Sequence, residues 1–161
     1  VVNCAGPWGD HVRRLVDRDA PPAVLGAKGV HLQLAPGRVP HHGALTLVSP
    51  IDGRVMFVLP SDAGTIVGTT ETPAERGPDA VRATTGDLDY LLRSVDAFFP
   101  EARLDRDDVV SAWAGIRPLA ATGARAGARG GGTASASREH AIEVDPRGVV
   151  HVSGGKLTTY R

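Results

Sequence analysis

A strand that runs into two glycines and then into a basic residue narrows what a chain can build. This chain has such a stretch in HVSGGKLTTYR, residues 151–161. Val149, Val150 and Val152 supply the strand, Gly154 and Gly155 the turn, and the residues after Lys156 the first turn of a helix. Glycine adopts backbone angles closed to other residues and lets the chain come close to a ligand, while the N–H groups of a new helix are ready donors to an anion. Lys156 adds a full positive charge beside them. The stretch therefore reads as a site for an anionic cofactor or substrate group. Taken alone it is also a plain turn followed by a solvated lysine, and other stretches have to decide between the two.

Residues 1–18 repeat the strand-to-helix theme. Val1, Val2, Cys4 and Ala5 predict a short buried strand, Gly6-Pro7-Trp8 the turn, and Trp8, Val12, Leu15 and Val16 an apolar helix face, with Pro7 suited to the first helical position. The helix start faces the AGPW loop, which suits an anion or dinucleotide; the alternative is an ordinary connection with Trp8 in the core. After a connector over 19–27, Val30, Leu32 and Leu34 alternate with His31 and Gln33, so the two histidine-side residues share the face opposite the apolar ones. His31 is either an acid–base group or a partly buried, hydrogen-bonded histidine. His41 and His42 read as loop residues, since no Cys, Asp or Glu at ligand spacing accompanies them, and no metal site is expected.

Strands are predicted at 44–48, 54–59 and 65–68, separated by turns at 50–53 and 61–64, which makes an antiparallel meander. Thr69, Thr70 and Glu71 at its end either line a cleft or cap the next turn. Over 84–99, Leu88, Leu91, Leu92, Val95, Phe98 and Phe99 form one stripe, with Asp87 and Asp89 in the first turn and Pro100 as the stop, and this predicts a core helix. A strand pattern over 107–119 carries Arg117 inside an apolar run, where a guanidinium needs either an internal carboxylate or a ligand anion. Residues 120–137 are Gly, Ala, Ser and Thr with two arginines and read as a flexible loop without a GxxxxGK[ST] phosphate cradle. A final hairpin over 138–144 and 148–152 turns at 145–148 and delivers the chain to GGKLTTYR.

The totals bound the rest. At 161 residues and 42% hydrophobic content the chain has material for one ordinary core, with an uneven division into two lobes left open. Eighteen basic and eighteen acidic residues cancel, so no broad field recruits nucleic acid or an anionic membrane, and anion binding must be local. One cysteine, Cys4, cannot build an internal disulfide and fits a reducing compartment. With no apolar run of spanning length and no charged-then-apolar leader, the expectation is a cytoplasmic location. Peripheral association with the inner face of the plasma membrane, and assembly into a homo-oligomer, stay open. Because the chain begins with Val in an apolar run and stops one turn into a helix, it is expected to be the middle or later part of a longer protein.

NCAGPW at 3–8, KGVH at 28–31, GTTET at 68–72, GIRPL at 115–119, SREH at 137–140 and SGGKLTTYR at 153–161, in this order, resemble the FAD-dependent glycerol-3-phosphate dehydrogenases. These belong to a flavoprotein class that includes D-amino-acid and glycine oxidases. The resemblance covers essentially the whole chain, although the GxGxxG unit with which that family opens does not occur here. It implies an α/β (α+β) fold: a substrate domain on a mixed, largely antiparallel sheet over 19–148, with 1–18 and 149–161 as returning pieces of a Rossmann-like FAD domain. It implies FAD as cofactor, with Gly6, Pro7, Gly154, Gly155, Lys156, Leu157 and Thr158 around it. Arg117, Arg138 and Lys156 match the positions that hold the phosphate of glycerol 3-phosphate, and His31 and Arg117 are the catalytic candidates. A quinone, oxygen or another carrier takes the electrons onward. An amino-acid or amine oxidase of the same class, and a non-catalytic phosphate-binding fragment, are the alternatives.

Overall fold

The computed structural model describes residues 1–121 and 138–159; the loop expected over 120–137 falls, from residue 122 on, outside the described residues. In chain order the elements are β1 (Val2–Asn3), a 3-10 turn (Gly6–Trp8), α1 (Gly9–Val16), β2 (Val24–Leu34), β3 (Leu45–Val48), β4 (Val55–Ser61), β5 (Gly64–Gly68) and β6 (Thr72–Pro73). Then come α2 (Thr85–Asp96), 3-10 turns at Pro100–Ala102 and Arg106–Asp108, β7 (Val109–Ala120), β8 (Ala141–Val144), β9 (Val150–Ser153) and a last 3-10 turn, Leu157–Thr159. Mixed α and β structure with mostly antiparallel pairing is the fold class the motifs imply.

The chain forms two compact units. The first comprises Val1–Lys28, Thr72–Ala80 and Ile116–Arg161, the second Gly29–Glu71 and Val81–Gly115. These limits differ from the division after residue 18 and before residue 149 expected from the motifs, because β2 and β7 each give one half to either unit.

In the second unit β3, β4, β5 and the Gly29–Leu34 half of β2 make the expected antiparallel meander, with Phe57 opposite Gly68 and Gly68 opposite His31. Alternation sends Val30, Leu32, Leu34, Met56, Val58 and Val67 to one face, where they meet Leu91, Leu92 and Val95 of α2 in a fully apolar core. His31 and Gln33 take the other face as the sequence predicts. α2 starts at a capping box, with the Thr84 hydroxyl accepting from the Asp87 N–H and the Asp87 carboxylate accepting from the Thr84 N–H. The helix stops at Asp96, short of the expected residue 99. The residue before a proline is excluded from the helical region, and Phe99, preceding Pro100, sits at φ −129° and ψ 61°. Phe98 is consequently left exposed instead of joining the stripe.

In the first unit β9 lies between β1, which it pairs in parallel, and β8, which it pairs antiparallel, so that Asn3, His151 and Glu143 form one row across the sheet. This overturns the expected burial of β1. Val1, Val2 and Cys4 are exposed, and the buried residue is Asn3. Its carboxamide explains why: Nδ2 donates to the Gly9 carbonyl at 3.0 Å and meets His151 Nδ1 at 3.0 Å, and Oδ1 accepts from the Ala5 N–H at 3.1 Å. The face of α1 is corrected for the same reason. Trp8 and Leu15 are exposed, whereas Arg13 is buried and reaches Glu143 through two hydrogen bonds of 3.0 Å, answering a polar row with a charge.

Candidate functional site

Four of the six motif stretches converge within the first unit. Gly154 and Gly155 follow β9 with φ of +73° and +85°, two consecutive left-handed residues that turn the chain toward Lys156. The Gly154 N–H donates to the Pro118 carbonyl at 3.0 Å, which ties this turn to the residue after Arg117. A Cβ on Gly154 would lie 2.3 Å from the Glu139 carbonyl oxygen and 3.3 Å from Ala120 Cβ, so the turn also rests on the residue after Arg138. A Cβ on Gly155 would stand 3.6 Å from His140 Cβ. Gly6, at φ +55°, faces Pro118 Cγ at 4.0 Å from the position its Cβ would take. The GIRPL, SREH, SGGK and AGPW stretches, far apart in sequence, thus meet around Pro118 and Gly154.

The charged candidates sit on the flanks of this junction. Arg117 is half-buried in β7, while Arg138 and Lys156 are exposed. Leu157 is 89% exposed and Thr158 is exposed, both in the 3-10 turn that closes the described chain. The missing side chain of Gly154 makes room for Glu139 and Ala120, whereas Gly155 is exposed and presents backbone that a flat or anionic group can approach closely. Pro7 borders a cavity of about 480 Å³ on the same unit, shared with Trp8, His11, Arg14 and Arg76.

His151 is a residue that the sequence reading passed over. It is buried on β9, with Nε2 3.3 Å from Asp145 Oδ2 and Nδ1 3.0 Å from Asn3 Nδ2. Because an amide NH₂ can only donate, Nδ1 accepts and Nε2 carries the proton toward Asp145. The Asp145 carboxyl is held below the usual carboxylate range, first by the Val149 N–H and then by His151 and the Arg147 N–H. Glu143 is held low by Arg13. These pairs anchor the strand that carries the glycine turn. The spacing of Asp145 and His151 around a hairpin was the available signal.

His31 belongs to the second unit. It is half-buried on β2, stacked on Trp113 with ring centroids 5.7 Å apart and planes 12° apart. Thr70 Oγ1 accepts from the Val30 N–H at 3.0 Å, Thr69 Oγ1 donates to the Thr70 carbonyl at 2.9 Å, and the Glu71 carbonyl accepts from Arg54 Nη1. These bonds tie the exit of β5 to β2 and to the residue before β4. His41 bonds the Gly43 carbonyl at 2.8 Å and Thr65 Oγ1 at 3.0 Å, and among the described residues no cluster of three or more metal-ligating side chains occurs.

Residues 1–161 match, without remainder, the DAO family of FAD dependent oxidoreductases. The chain belongs to this family. Among curated proteins it is 35% identical to the mitochondrial glycerol-3-phosphate dehydrogenase of Macaca fascicularis and 34% identical to the aerobic glycerol-3-phosphate dehydrogenase of Bacillus subtilis, over 100% of its own length in both. It covers 22% and 28% of those proteins, so the chain spans about a quarter of the length of the curated relatives it matches. Among solved structures, the glycerol-3-phosphate dehydrogenase of Bacillus halodurans complexed with FAD superposes with a TM-score of 0.83 at 35% identity, covering 100% of this chain and 29% of that one. Glycine oxidase from Geobacillus kaustophilus shares the fold, with a TM-score of 0.55 at 18% identity over 96% of this chain and 35% of the other.

Proposed function

We propose that this chain is part of an FAD-dependent dehydrogenase that oxidises sn-glycerol 3-phosphate to dihydroxyacetone phosphate. The proposal rests on a likeness to glycerol-3-phosphate dehydrogenases that runs through the whole chain in sequence and in fold. The first compact unit, containing residues 1–18 and 149–161, is then the flavin-binding side, and the second carries the substrate cap. Gly154, Gly155, Leu157 and Thr158, together with Gly6 and Pro7, would hold the flavin. Bound FAD supplies the two-electron acceptor. The chain's own residues supply position, charge and a proton acceptor. Arg117 and Arg138 clamp the phosphate oxygens with guanidinium forks and Lys156 adds a point charge, which suits a near-dianionic phosphate better than a carboxylate. His31 accepts the proton of the secondary hydroxyl or orients it for transfer.

A further electron acceptor completes the reaction, and a quinone reached from the inner face of the plasma membrane is its testable form. Among the described residues no helix is long and apolar enough to cross a membrane. Steady-state kinetics of the full-length protein test the phosphate assignment. Arg117→Ala should lower kcat/KM for glycerol 3-phosphate by about 100-fold or more, equivalent to about 3 kcal/mol, and leave any turnover measured with unphosphorylated glycerol unchanged. An equal loss with both substrates, or none, removes Arg117 from the phosphate site.

A further inference from the structure

His31 is held more closely than a half-buried strand histidine requires. Its ring lies over Gly68, its register partner on β5: a Cβ at that position would come 2.1 Å from His31 Cδ2, 2.7 Å from Cγ and 2.8 Å from Nε2. The imidazole therefore fills the space that any side chain at 68 would need. From β7 the Trp113 indole stacks on the same ring, nearly parallel to it. Two positions along on each strand, Ser111 Oγ donates to Gln33 Oε1 at 3.3 Å, so the strand pairing that sets the stack is repeated by a polar pair on the same face. The apolar core does not ask for either contact. It lies on the opposite face of β2, with Val30 and Leu32, and Trp113 keeps 43% of its surface exposed.

We propose that Trp113 and Gly68 are positioning residues for His31: the indole face and the absent side chain hold the imidazole in one orientation. The inference rests on the proton-transfer role proposed for His31 and adds how its ring nitrogens are aimed. An imidazole free to turn about its side-chain torsions spends part of its time misdirected, whereas one held between an aromatic face and bare backbone is aimed before the substrate arrives. Trp113 touches neither substrate nor flavin in this scheme. It acts through His31.

The test uses the full-length flavoprotein labelled with carbon-13 histidine, as wild type, Trp113→Leu, Trp113→Phe, His31→Gln and the Trp113→Leu/His31→Gln double variant. In the wild type the His31 ring resonances should be displaced by the indole ring current, and Trp113→Leu should return them toward ordinary positions. Trp113→Leu should lower kcat about 10- to 100-fold with KM for glycerol 3-phosphate changed by about twofold or less, and Trp113→Phe should restore most of the loss. In the His31→Gln background Trp113→Leu should cost nothing more. Gly68→Ala, which pushes the ring away from the other side, should give the same resonance shift and the same kcat loss. The proposal is overturned if Trp113→Leu leaves kcat unchanged, or lowers it as much without His31 as with it. If His31→Gln itself leaves kcat unchanged, the role given to His31 falls and the inference with it; resonances that stay displaced in Trp113→Leu overturn the stack itself, so the two failures are read from different measurements.

Discussion

A methyl group at Gly154 would meet the Glu139 carbonyl oxygen at 2.3 Å while forcing an L residue to φ +73°. Gly37 has nearly the same backbone, φ +76°, with nothing within 4 Å of the missing Cβ. The pair separates two costs. Gly37→Ala carries only the left-handed penalty, about 1–2 kcal/mol, and Gly154→Ala should exceed it by about 1 kcal/mol or more, as read from urea unfolding of the two variants. Equal costs would mean that the junction at Pro118 and Glu139 yields. That Gly154 and Gly155 turn the chain was legible in the sequence, because a glycine pair between a strand and a lysine leaves few other uses. The role of Gly68 was not: its bare backbone matters only because His31 lies across the sheet from it. Asn3 and Arg13 were hidden for a like reason, since their partners His151 and Glu143 stand near the other end of the chain.

At the scale of elements, local pattern and tertiary need agree in β3 to β5 and in α2, and both were read from spacing alone. The α2 start has a complete capping box, so Thr84→Ala should lower stability by about 1 kcal/mol, measured as a shift of the denaturation midpoint with unchanged slope. Leu91, fully buried against the β4 and β5 face, should cost about 2–5 kcal/mol when cut to Ala. β1 and α1 went the other way. Their valines and Leu15 promised apolar faces, yet the sheet turns its row of Asn3, His151 and Glu143 toward the helix, and a helix over a polar row buries Arg13 in place of Leu15. Strand periodicity states that faces alternate without stating which face will be covered. β2 and β7 add a second limit: each reads as one strand and is one strand, but the compact units divide within both, where no composition shift marks a boundary.

For the molecule as a whole, the charge pairs set a pH dependence. Asp108 is held below the usual carboxylate range chiefly by Arg38, Asp89 by Arg106, Glu143 by Arg13, and Asp145 by the Val149 N–H. A carboxyl whose folded-state pKa is depressed contributes stability above its unfolded pKa and loses it as pH falls through the lower folded value, so both units should weaken on acidification below about pH 4. Asp108→Asn should flatten that dependence in denaturant midpoints taken across the acid range. An undiminished slope would assign the acid sensitivity to other groups. The central claim concerns the flavin and its substrate, and anaerobic mixing of the full-length flavoprotein with glycerol 3-phosphate tests it most directly. The account predicts that the oxidised flavin band bleaches as dihydroxyacetone phosphate forms in equal amount, with glycine and D-amino acids leaving the colour unchanged. Bleaching by an amino acid, or an unbleached flavin with glycerol 3-phosphate, would contradict it.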